Sequence, residues 1–427
     1  MTDSLLPSQP PLPATFRKQL SSRQFKHIIA ALREPEVRYF LGGSFLSNIG
    51  GWMQSIAQAW LVLQITNSAF YLGLDGFAST LPLSLFSFWG GVIADRVDRR
   101  RLLIAMQWAQ LSLALILGVL TQLKMVRVWH VILFSFCNGL TQAIAWPVYQ
   151  ATLANIVEPA DLSNAIALNS IQFNMARSLG PMLGALGLSL FGTAGCFYAN
   201  AVSFLAVIAA LTQIRNFHRD RRSPDRPGFM QSFKEGLQYM TASRPLFWLL
   251  ITMSAASILG FPLVTLLPVF ARDILKIGAS GLGVLVGSFG VGAVLGGMMV
   301  ALVGNFAQKG KFVLQSLFLY VGGMVFFAIS RNILVSVLCL FITGFSMVSF
   351  ASVINTIIQG SVPDYLRGRA MSVFVFSFGG CMPLGNLLVG WLAKTYSAPT
   401  ALVALGFFLL IFTQYVYSAH SDIHSLA

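Results

Sequence analysis

Charge is scarce in this chain. Only 10% of its 427 residues are charged, against 56% hydrophobic, where a soluble globular protein carries about 25% charged residues. That excludes an ordinary soluble body and makes the membrane span, about 20 apolar residues, the natural unit of division. Acids are scarcer still, 14 against 28 bases. The resulting net charge of +14 does not point to nucleic acid, because the cations sit in short segments between apolar runs and form no stripe on a polar domain. Cysteines are few. Cys137, Cys196, Cys339 and Cys381 lie singly in apolar runs, which fits neither a metal site nor a disulfide framework and reads as small buried hydrophobes. No glycine-rich phosphate loop, zinc spacing or nucleophile–base pairing is present, so no cofactor, no metal, no ATP-driven pumping and no enzyme chemistry are expected. The first long apolar run begins near Tyr39 without a short h-region and A-x-A-like site, so no cleaved leader is expected.

Twelve apolar segments are present, the first at about 37–63 and the last at about 398–417. A span in lipid must satisfy its own backbone hydrogen bonds, so all are expected to be helices despite internal glycine and proline. Residues 216–245 form the one long polar stretch and divide the spans six and six. The expected organisation is a tail (1–36), a six-helix bundle (37–215), a central loop (216–245), a second bundle (246–417) and a short tail (418–427). Twenty-one of the 28 basic residues fall in the N-terminal tail, the central segment and the loops after spans 2, 8 and 10, and six in the opposite loops. The positive-inside rule then puts both termini in the cytoplasm of a bacterial plasma or inner membrane. Residues 16–33 interleave Phe16, Leu20, Phe25 and Ile28 with bases, as an amphipathic helix lying on anionic lipid would. A weak repeat relates the halves: "VEPADLSNAIAL" before span 5 resembles "VPDYLRGRAMSV" before span 11, and Pro181 and Pro383 stand at matching places. Parallel halves are expected.

The stretch "GGVIADRVDRRR" packs two acids and four arginines after an apolar run. Topology accounts for the arginines but not for the acids among them. Gly91, Asp95, Arg96, Arg99 and Arg100 resemble the G-x-x-x-D-R-x-G-R-R signature of the major facilitator superfamily, with Asp98 standing where that pattern has glycine. The resemblance implies twelve transmembrane helices in two pseudo-symmetric bundles, all-α, with this knot latching span 2 to span 11 when the cytoplasmic side is closed. In span 5, Ala167, Ala176, Gly180, Pro181, Gly184 and Ala185 resemble a glycine-rich exporter pattern with three glycines replaced by alanine, which marks Gly180, Pro181 and Gly184 as gating candidates. The phrases "SNIGGWMQSIAQAWLVLQIT", "LSNAIALNSIQFNMARSLGP", "FPLVTLLPVFARDIL" and "SVPDYLRGRAMSVF" are similar to one bacterial branch, the transmembrane secretion effectors, which includes enterobactin exporters and macrolide efflux pumps.

Polar residues inside spans are costly and face a cavity or one another. Gln54 and Gln58 in span 1, Asn138, Gln142, Trp146 and Tyr149 in span 4, and Asn355 and Gln359 in span 10 recur at helical spacing. The resembled fold lines its central cavity with spans 1, 4, 7 and 10, so these are the expected substrate contacts, with interhelical hydrogen bonding as the alternative. Such a wall of amides and aromatics suits a bulky, mostly neutral amphiphile. Two ionisable residues are embedded, Asp75 in span 2 and Arg177 in span 5; both are coupling candidates, with a water-linked or state-dependent pairing expected between them. Ser135 stands where many proton antiporters carry an arginine, so protons as coupling ion rest on resemblance. The expected function is a monomeric secondary exporter of a small siderophore-like or drug-like molecule. Import, or a non-transporting receptor of the same fold, stays open.

Overall fold

The computed structural model describes residues 30–158, 161–214, 229–304, 306–424 and 426; the side chains of 30, 87–96, 229 and 230 lie outside the described residues. Regular structure among the described residues is helical throughout. Span 1 is Pro35–Thr66, span 2 Ala69–Arg96, span 3 Arg99–Gln122 and span 4 Val128–Asn155. Spans 5 and 6 run together as Leu162–Gln213, broken only at Gly192, whose φ of 70° suits a residue without Cβ. Span 7 comprises Arg244–Leu259, Leu263–Val269 and a π-type turn at Phe270–Ile274. Span 8 is Gly278–Val303, span 9 Lys309–Ile329 and span 10 Ile333–Ser361. Span 11 joins Asp364–Val375 to Met382–Thr395 through a second π-type turn, and span 12 is Ala398–Ala419.

By length and hydropathy nine helices among the described residues could cross a membrane. One of the nine is the broken Leu162–Gln213 pair. Spans 1 and 2, which carry Gln54, Gln58 and Asp75, fall outside that count. Alternate helices run in opposite directions, so one end of the molecule bears residue 35, residue 419 and the 97–98 turn. The other, here called the distal end, bears the turns after spans 1, 3, 5, 7, 9 and 11.

Local chemistry sets the helix ends. Asp98 accepts from the Arg101 amide at 2.9 Å, Asn332 from the Leu334 amide at 2.8 Å, and Ser397 from the Thr400 amide at 3.2 Å, each satisfying a donor left free at a helix start. Asn67, at φ 48°, closes span 1 by returning its amide to the Leu63 carbonyl, a left-handed position that asparagine tolerates. Small residues then bring the helices close. Gly292 and Gly296 of span 8 lie against the Phe341 and Phe345 carbonyls of span 10, and Gly344 of span 10 against the Phe289 carbonyl of span 8. Around them Phe270, Tyr320, Phe327 and Phe350 are fully buried.

The central segment differs from the loop that its charge suggested. Phe229–Ala242 is a helix. Met240 is buried, Phe233 meets the Phe376 ring edge-on at 5.6 Å, and Gly236 sits against the Arg369 carbonyl. Glu235 pairs with Arg369. Spacings of three and four residues give the segment one apolar face, and span 11 covers it. Residues 215–228, and the amphipathic segment 16–33 except for a single turn at Ala30–Arg33, lie outside the described residues.

Candidate functional site

The two sets of six helices touch on the distal side. Gly73 of span 2 and Gly390 of span 11 meet backbone to backbone: a Cβ on either would stand 2.7 Å from the Cα of the other. One turn on, Gly76 lies against the Asn386 carboxamide, whose oxygen accepts from Thr265 Oγ1 of span 7 at 2.8 Å. A second contact joins spans 5 and 8. Gly283 abuts Ala185 and the Pro181 carbonyl, Gly287 meets Met182, and Gly290 meets Ser178. Arg272 forms the third. Its Nη1 donates to the Leu63 carbonyl and to Asn67 Oδ1, both at 2.8 Å, while Asp273 holds the rest of the guanidinium from 2.7 Å. A cation there answers the negative end of span 1.

Asp75 lies beside this seam, buried, two residues from Gly73 and one from Gly76. Gln58 Nε2 donates to both its oxygens, at 3.0 and 3.1 Å, and to Ser135 Oγ at 2.7 Å; Ser135 Oγ donates in turn to Asp75 Oδ1. One carboxyl thus ties spans 1, 2 and 4 together through neutral groups. No ion pair joins it to Arg177 among the described residues.

The span 4 candidates divide. Asn138 Oδ1 accepts from Gln110 of span 3 at 3.4 Å, on the packed side. Gln142 and Trp146 are exposed, the latter by 44%. Trp146 stacks with Tyr149 at 6.3 Å and meets Phe173 of span 5 edge-on at 5.8 Å; Tyr149 stacks on Phe40 of span 1 at 4.6 Å. A polar chain backs this aromatic shelf. Tyr149 Oη donates to Asn169 Oδ1 at 2.8 Å, Gln172 Nε2 donates to the same oxygen at 3.0 Å, and Asn48 Nδ2 donates to Gln172 Oε1 at 3.2 Å. In span 1, Gln54 turns the other way and accepts from Asn200 of span 6 at 2.6 Å, while Gln58 is taken up by Asp75. Asn355 accepts from Gln359 one turn nearer the terminus-bearing end of span 10, where the Gln359 carbonyl also receives Arg367.

Span 5 presents four stripes at 100° per residue. Gly180 and Gly184 seat it on Trp52 and Met53 of span 1, so these two glycines serve packing inside the first bundle. Ser178, Pro181, Met182 and Ala185 face span 8. Met175, Leu179 and Leu186 are exposed and apolar, suited to lipid. The fourth stripe, Ser170, Asn174 and Arg177, is polar and falls between the span 1 and span 8 contacts, on the side facing the second half.

Of the charge knot, Gly91, Asp95 and Arg96 fall in the last turns of span 2, and their side chains lie outside the described residues. Arg100 Nη2 donates to the Thr212 carbonyl of span 6 at 2.7 Å, within its own bundle, and Arg99 is also bonded. Asp98, which the signature would have as glycine, supplies the cap of span 3. Sequence reading missed Gly73, Gly76, Gly283, Gly287, Asn386, Gly390 and Arg272. The four-residue spacing of Gly283 and Gly287 was the available signal; nothing in the sequence marked Arg272 as a bridge. Among the described residues no three His, Cys, Asp or Glu gather as a metal would need.

The family model for the transmembrane secretion effector matches residues 27–421. The staphyloferrin A transporter of Staphylococcus aureus is 25% identical over 381 residues, covering 89% of this chain and 95% of that one. Macrolide efflux protein A of Streptococcus pyogenes is 22% identical over 353 residues, covering 81% and 86%. Among solved structures, an inward-facing, unoccupied bacterial homolog of the human lysosomal transporter Spinster superposes with a TM-score of 0.72 at 14% identity, over 92% of this chain and 98% of that one.

Proposed function

The chain belongs to the transmembrane secretion effector family, a branch of the major facilitator superfamily, and on that premise we propose that it exports a small amphiphilic molecule by alternating access, as a monomer driven by protons. The observation that carries this reading is the distribution of contacts between the halves. They close the distal side at Gly73–Gly390, Gly283–Ala185 and Arg272–Leu63, while Trp146, Gln142 and the polar stripe of span 5 face the space between the halves nearer the terminus-bearing end. With both termini cytoplasmic, as the basic loops favour, this is the state that receives cargo from inside the cell.

Asp75 is the proton carrier in this reading. It is buried, bound only to neutral partners and adjacent to the Gly73–Gly390 seam, so a change in its charge alters the bonding of three helices at the point where the halves meet. Arg177 is the fixed charge of the coupling pair, separate from Asp75 in this state. The Asp95 knot latches the opposite side when the distal side opens. Once inside, cargo meets Gln142, Trp146 and Tyr149. Gln54, Gln58 and Asn138 hold those walls in place here, and Asn355 and Gln359 stand at the entrance.

Inside-out vesicles containing the full chain test this reading. Staphyloferrin A and erythromycin, chemistries named by the relatives, are offered outside with the lumen made acidic. Accumulation of at least one, abolished when the pH difference is collapsed, is expected. Transport only in right-side-out vesicles would make the chain an importer. Movement of neither in either orientation would reject an exporter of these cargo classes.

A further inference from the structure

Among the described residues Arg177 is the only guanidinium or ammonium in the middle of a span, and no acceptor or carboxylate there bonds to it. An unpaired cation inside a membrane is expensive, and burying a charge without a counter-charge is strongly destabilising. Asp75 does not answer it, since Gln58 and Ser135 already occupy that carboxyl. Arg177 is not sealed in either. As a residue it is partly exposed, on the polar stripe of span 5 that faces the space between the halves.

Its depth follows from the aromatic contact. Trp146 and Phe173 meet at 5.8 Å. Span 4 runs away from the distal end and span 5 towards it, so one turn distal of that contact reaches Gln142 on one helix and Arg177 on the other. A planar fork of donors and a carboxamide therefore share one level, with the exposed face of Trp146 one turn below. Bidentate donation to a flat oxyanion is what guanidinium geometry suits best, and an indole face suits a planar unsaturated body.

We propose that Arg177 and Gln142, above the Trp146 shelf, form a subsite for a carboxylate carried on a planar apolar body. The cargo would supply the missing negative charge. This refines the mostly neutral amphiphile expected from the wall of amides and aromatics, and it rests on the exporter reading above.

The test uses the full chain in nanodiscs of zwitterionic lipid and two near-isosteric probes, 1-naphthaleneacetate and 1-naphthaleneacetamide, titrated by calorimetry. The wild type should bind the carboxylate at least tenfold more tightly than the amide, the gain of a charge-assisted pair over a neutral one. Arg177→Met and Arg177→Gln should bring that ratio to about one, whereas Trp146→Ala should weaken both probes alike. Removal of an unpaired embedded charge does not endanger folding, so Arg177→Met remains informative if Arg177→Gln is unstable. No preference in the wild type, or a preference surviving in either variant, would overturn the subsite. Vesicle transport separates the two claims. Erythromycin export without any carboxylate preference keeps the exporter and rejects the subsite, and an Arg177-dependent preference without transport does the reverse.

Discussion

Replacing Gly390 with alanine should open the distal side. The added Cβ would stand 2.7 Å from the Gly73 Cα, whereas carbon atoms rest comfortably at about 3.5 Å or more. Spans 2 and 11 must therefore separate by roughly 0.8 Å, and no flexible side chain can absorb the change because both surfaces are backbone. Overpacking of this kind costs about 1–3 kcal/mol, which shifts a two-state balance roughly 5- to 150-fold. The substitution is mild for each bundle alone, since alanine favours helix over glycine by about 1 kcal/mol. Its effect should thus fall on the state occupied. Spin labels at exposed distal positions, Lys124 in one half and Tyr396 in the other, should show a longer-distance population in Gly390→Ala and also in Gly73→Ala, with normal insertion. An unchanged distance distribution in both variants would refute the claim that this backbone contact closes the distal side.

Arg272→Ala removes the charged donor that holds Leu63 and Asn67; a loss of about 1.5–3 kcal/mol should move the same distal labels apart, to an extent comparable with Gly390→Ala. Asp75→Asn keeps the size and one acceptor oxygen for Gln58 and Ser135, so cargo binding should survive while cargo-driven proton release, read with a pH dye in proteoliposomes, disappears; unchanged proton release would leave Asp75 a structural tie. Ser223→Cys in the central segment should resist an impermeant maleimide outside intact cells, and ready labelling there would reverse the topology.

The fold was legible because lipid imposes a coarse rule: a long apolar run must be a helix. Where that rule was relaxed the sequence misled. Phe229–Ala242 reads as a charged linker until its apolar face is set against span 11. The site was harder to read for a related reason. In a soluble helix a polar stripe marks the solvent face, but Gln54 and Asn138 point to Asn200 and Gln110 on neighbouring helices, and periodicity gives no sign for choosing between helix and cavity. Gly180 and Gly184 stood out by motif yet pack span 5 on span 1, while the glycines that join the halves lie in spans 2, 8 and 11. Only the partner surface reveals which glycine meets which backbone. Arg177 was visible as an embedded charge; its lack of a partner among the described residues was not.

Alternating access through this seam is tested most directly by the sidedness of one cavity position. In a chain whose four cysteines are replaced by alanine, Gln142→Cys would be exposed to an impermeant maleimide in inside-out and in right-side-out vesicles. Labelling should come predominantly from the terminus-bearing side, which is cytoplasmic in the proposed topology, and addition of Gly390→Ala should shift it towards the distal side. Equal labelling from both sides, or a sidedness that Gly390→Ala leaves untouched, would contradict a cavity closed by the Gly73–Gly390 contact.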